Sequence, residues 1–140
     1  MATITVRIEG STAVHSFEES LEKLAALDVD TVYPGHGKPF KDFKGALERS
    51  KAKIRDYLSD RKNIGNDLLK KIIVFTLLMK RSILEDSFFH WLMGTYWYKE
   101  TVEFYFDGAY EAKYNEIMSD FLDRSVIKRK NGRLYTTVKP

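Results

Sequence analysis

Apolar and polar positions change their period several times along the 140 residues. Ile4, Val6 and Ile8 alternate with Thr5 and Arg7 and run into Glu9-Gly10-Ser11, which predicts a short strand and a turn. Phe17, Leu21, Leu24 and Leu27 then recur at helical spacing and form one apolar stripe. They follow Ser16-Phe17-Glu18-Glu19, a capping-box sequence: the Ser16 hydroxyl would accept from the Glu19 amide while the Glu19 carboxylate accepts from the Ser16 amide. A helix is therefore expected to begin at Ser16. Asp28-Val29-Asp30-Thr31-Val32-Tyr33 favours extended backbone, with Pro34 restricting Tyr33 to that region, and predicts a second short strand that would pair with the first. Gly35 and Gly37 free the backbone on both sides of His36, so the imidazole is displayed where the strand ends.

Beyond the turn, Phe40, Phe43, Leu47, Ile54, Tyr57 and Leu58 mark the buried side of a helix of about five turns reaching Asp60. Asn63-Ile64-Gly65-Asn66 is expected to break helical continuity. The run from Leu68 to Met79 is apolar on most sides and predicts a central, buried helix. Ala109 to Arg124 reads as another amphipathic helix, with Tyr110, Tyr114, Ile117, Met118, Phe121 and Leu122 inward. The clearest local signal in the second half is Asn131-Gly132 between Val126–Lys130 and Arg133–Val138, a two-residue hairpin whose type I′ turn needs positive φ at both central positions.

Composition adds limits to this pattern. With 44% hydrophobic and 14% aromatic residues the chain can build a real core. It has no cysteine, which removes disulfides, thiolate nucleophiles and Cys-ligated zinc. No N-terminal apolar run suggests a signal peptide or a membrane span, so a cytoplasmic location with no membrane partner is expected. The net charge of +3 is uneven: residues 1–40 carry three basic and six acidic side chains, the remainder twenty and fourteen.

Residues 16–58 carry a specific likeness. Ser20-Leu21-Glu22-Lys23-Leu24-Ala25-Ala26-Leu27 followed by Asp28-Val29-Asp30-Thr31-Val32-Tyr33-Pro34-Gly35-His36-Gly37 resembles the closing helix, strand and turn of the metallo-β-lactamase-fold hydrolases, the glyoxalase II-like branch in particular. The resemblance implies a metal-ligand role for His36 in a longer parent enzyme that binds zinc or another divalent metal. It also implies that the remainder of that domain is a partner of this chain. The departure is equally plain. The family's HxHxDH motif is absent, and His15, His36 and His90 are the chain's three histidines. A catalytic zinc needs three protein ligands and an open position, so this chain alone is expected to be catalytically silent, with no catalytic residue of its own and no bound cofactor. In that family the helix after the turn commonly leads into a C-terminal helical appendage.

The fold class expected is thus α+β and mostly helical. Residues 1–40 would be the truncated end of a metallo-β-lactamase αββα fold. Residues 41–140 would form a helical domain that resembles a winged helix through its closing hairpin, a likeness of architecture that carries no function by itself. Two roles follow for it: an accessory or dimerisation domain of a hydrolase, or a binding module for protein or nucleic acid. Lys128, Arg129, Lys130 and Arg133 cluster at the wing and are the candidate nucleic-acid contacts, although basic hairpin ends are commonly just soluble ones. Lys44, Arg49, Lys51, Lys53 and Arg55 decorate the 41–60 helix, where a solvated face is the plainer explanation. The 109–124 helix is acidic, since Glu111, Glu116, Asp120 and Asp123 outnumber Lys113 and Arg124, and it suits a phosphate-lined groove poorly. Any nucleic-acid binding should therefore be weak. Eleven of the nineteen aromatics fall between Phe88 and Tyr114. Core packing accounts for many of them, and the surplus suggests a partner surface; with strand edges and the Phe17–Leu24 stripe lacking their usual cover, a homodimer is expected.

Overall fold

The computed structural model describes residues 6–35 and 37–139, with side chains from residue 15 onward. Among these residues the chain is α+β and mostly helical, with six helices and one three-stranded antiparallel sheet. It divides into two compact units, Met1–Asp60 and Arg61–Pro140.

In the first unit, α1 (Val6–Ala25) packs on α2 (Phe43–Ser59). The strand expected at residues 4–8 is not formed where it can be seen: Val6, Arg7 and Ile8 open α1, and residues 4 and 5 lie outside the described residues. A lone strand would leave its amides and carbonyls unpaired, whereas a helix satisfies them within itself, and that outweighs local β preference. The helix start expected at Ser16 is corrected for the same reason. Ser16 sits in the middle of α1, where its carbonyl accepts the Ser20 hydroxyl at 2.8 Å; a capping box has no free amides to satisfy there. Of the apolar stripe, Leu21 is buried and Phe17 half-buried, while Leu24 and Leu27 are exposed.

The strand expected at 29–33 is reduced to a single antiparallel bridge between Val32 and Phe40. α2 follows the loop closely. Asp42 caps it, its carboxylate accepting from the Gly45 amide at 3.0 Å and from Arg49 at 3.0 Å. Leu47, Ile54 and Tyr57 are its buried residues.

The second unit begins with α3 (Arg61–Lys80). The expected break at 63–66 is not there; the helical run is interrupted at Asp60 instead, which is extended at φ −150° and ψ 120°. Gly65 continues α3 because its missing side chain lets α5 (Tyr96–Phe106) come close: an added Cβ would lie 2.6 Å from both Cβ and Cγ of Tyr105. Nor is α3 buried all round. Leu69, Ile73 and Leu77 are fully buried, yet Phe75 and Met79 on the other side are 60% and 57% exposed. Next come β1 (Ile83–Leu84), α4 (Glu85–Met93), α5, α6 (Tyr110–Asp123), β2 (Ile127–Lys130) and β3 (Arg133–Thr136). The sheet order is β1-β3-β2. The hairpin is as expected, with Asn131 at φ 52° and Gly132 at φ 68°. Phe88, Leu92, Tyr98, Val102, Ile117, Ile127 and Leu134 join the α3 residues in one core. No helix among the described residues is long and apolar enough to cross a membrane.

Candidate functional site

The histidine turn is held at its neck. The Val32 amide donates to the Phe40 carbonyl at 2.8 Å and the Phe40 amide returns to Val32 at 3.1 Å, so residues 33–39 form a loop closed by two backbone bonds. Tyr33 on its rim is 80% exposed, and Gly37 has φ 98°, which a side chain would strain. His36 itself lies outside the described residues. The other two histidines are described: His15 is exposed on α1 with Nδ1 3.8 Å from a Glu18 carboxylate oxygen, and His90 is exposed in the last turn of α4. The metal that the resemblance implies would require further ligands. Among the described residues no three His, Asp or Glu side chains gather closely enough to hold an ion. The described residues do not fit a complete metal centre.

The four basic wing residues are not equivalent. Side chains alternate across a strand, so Arg129 shares the face of buried Ile127, and its Nε donates to Glu85 Oε1 in the first turn of α4 at 2.6 Å. Lys128 and Lys130 take the opposite, outer face and are exposed. Arg133 joins them there, directly opposite Lys130 in the register, and Tyr135 stands opposite Lys128. Leu84 of β1 pairs with Arg133 on the far side and is half-exposed. The Arg133 guanidinium is anchored on neutral acceptors, Nε to Ser82 Oγ at 2.9 Å and Nη2 to the Ser82 carbonyl at 3.3 Å. The bonds fix its position and leave its charge uncompensated. Three of the four candidate contacts thus share one face, while Arg129 is committed elsewhere. Sequence reasoning missed Tyr135, which period-two alternation across a two-residue hairpin would have placed opposite Lys128.

α6 keeps its acidic character. Lys113 is buried with its ammonium 4.3 Å from the Phe106 ring centre and 2.7 Å from Glu116, and Asp120 binds Lys70 at 3.0 Å and Arg124 at 3.3 Å. Those bonds, the one from Lys70 foremost, hold the Asp120 carboxyl below the usual carboxylate range. Glu111, Glu116 and Asp123 remain exposed.

The aromatic segment divides cleanly. Phe88, Tyr98, Tyr105 and Phe106 are core, and Phe88 and Phe89 meet Tyr114 at ring-centre distances of 6.0 and 5.2 Å. Tyr96, Trp97 and Phe104 stand out on α5, exposed by 55, 67 and 57%. The Arg61 guanidinium lies 5.3 Å from the Phe104 ring centre. Glu100 and Glu103 occupy the same outer side of α5, where they accept the hydroxyls of Tyr96 and Tyr110.

Compared with protein-family models, curated proteins and solved structures, the chain finds no significant match.

Proposed function

We propose that this chain is the C-terminal portion of a metal-dependent hydrolase of the metallo-β-lactamase superfamily, joined to a winged-helix-like accessory module. In this reading residues 1–40 close the catalytic domain, and His36 is one metal ligand among several whose partners come from the parent domain. The metal would supply an activated water for attack on an ester, thioester or similar bond. The chain's own contribution is the pair of backbone bonds between Val32 and Phe40 that closes the loop.

The observation that carries the module reading is the order of elements after residue 61. A helix, a short strand, three helices and a hairpin assemble so that β1 joins the hairpin on its β3 side, an arrangement that resembles a winged helix. The acidic surface of α6 favours a protein partner over a duplex groove at that helix. Tyr96, Trp97 and Phe104 on α5 supply the aromatic anchors that such an interface uses, and a second copy of the chain is the partner proposed for them. The coding DNA ahead of residue 1 tests the parentage. An HxHxDH motif in frame is the expected result; an in-frame stop without such a motif overturns it.

A further inference from the structure

We propose that the outer face of the sheet, formed by Lys128, Lys130 and Arg133 around Tyr135, binds the phosphodiester backbone of single-stranded nucleic acid. This goes beyond the accessory role and does not depend on the parent enzyme. Residues directly opposite in an antiparallel ladder have their Cβ atoms only about 4.5–5.5 Å apart, and like charges there repel. Lys130 and Arg133 are such a pair. Lys128 lies two residues along the same strand and face, about 7 Å away. No carboxylate neutralises any of the three among the described residues, in contrast to Arg129, which Glu85 holds. A row of uncompensated cations costs the fold stability and gains it back when an anion arrives. Arg133 is further prepared, since its bonds to Ser82 hold the guanidinium in place before any ligand is bound.

Tyr135 decides between kinds of polyanion. Its half-exposed ring lies opposite Lys128 and two residues from Arg133, an aromatic among cations. That combination of a charged track with a stacking platform suits unpaired bases, whose faces are free, whereas a duplex keeps its bases stacked inside. A carboxylate-rich peptide could meet the charges but would leave the ring without a role.

The test is fluorescence anisotropy of the full chain with a labelled 15-mer of thymidylate, alongside a duplex of the same length and a polyglutamate competitor. Three phosphate contacts to a single strand predict a log–log salt slope of about −2. Lys128→Glu with Lys130→Glu, both exposed, should weaken binding at least tenfold at 50 mM salt while the circular dichroism spectrum stays unchanged. Tyr135→Leu should weaken binding several-fold and leave the salt slope as it was, because stacking releases no counterions. Sedimentation of the lysine variant, expected to match the wild type, separates this surface from the α5 interface. Binding that survives the double lysine change, a duplex bound as tightly as the single strand, or equal competition by polyglutamate would each overturn the proposal.

Discussion

Replacing Gly65 by alanine sets two calculable effects against each other. Within a helix the change alone should stabilise by about 0.8–1.0 kcal/mol, because alanine loses less backbone freedom on folding. The new methyl, however, would sit 2.6 Å from Cβ and Cγ of Tyr105 and 2.8 Å from Cε2 of Phe106. Carbon atoms rest comfortably at about 3.5–4.0 Å, so α3 and α5 would have to move apart by about 1 Å. The Cβ of Tyr105 is tied to its own backbone and cannot swing aside. Overpacking costs about 1–3 kcal/mol; three contacts below 3 Å put this site at the upper end, and the net expectation is a loss of about 2 kcal/mol. Urea unfolding should show a lower midpoint at unchanged slope, and the melting temperature should fall by about 3–4 °C for each kcal/mol lost. Gly65→Val should be worse. A midpoint equal to or above that of the wild type would refute the close-approach argument and return Gly65 to the role of an ordinary helix defect.

Other consequences concern pH, the wing and association. Burial, with Glu85 adding to it, pushes the Tyr114 hydroxyl up to about 12, and burial raises Tyr98 as well. Because the folded chain then keeps protons that the unfolded chain releases, stability should be intact below about pH 10 and fall as pH rises from there through the folded value. Absorbance of tyrosinate followed beside circular dichroism checks this, and all eight tyrosines titrating near pH 10 with the fold intact would contradict it. Gly132→Ala should cost about 1–2 kcal/mol through backbone strain alone, since φ is +68° and nothing lies within 4 Å of the added carbon. Gly35→Ala, equally uncrowded and without positive φ, should change the unfolding midpoint little. Sedimentation at micromolar concentration should give about twice 16.3 kDa, and Trp97→Glu with Phe104→Glu should give the monomer; a monomeric wild type would remove α5 as a self-association surface.

The sequence by itself determined the features whose causes are local. Asn131-Gly132 specifies its turn because few other residues accept positive φ twice in succession. The helices expected to reach Asp60 and to span Ala109–Arg124 follow from apolar spacing, and the structure bounds them at Phe43–Ser59 and Tyr110–Asp123, with Phe40 left outside in the bridge to Val32. What it misjudged were segments whose outcome depends on a distant partner. Val6–Ile8 and Val29–Tyr33 have β-forming residues, yet a strand exists only where another strand satisfies its backbone, and β1 of two residues forms because β3 is beside it. Gly65 reads as a breaker along the chain and acts as a close contact across it, since only tertiary packing brings Tyr105 to that point. The basic wing was legible as a cluster of charges. Which of them is compensated was decided by Glu85, and which is held in place by Ser82, residues more than forty positions away that the fold alone brings to Arg129 and Arg133.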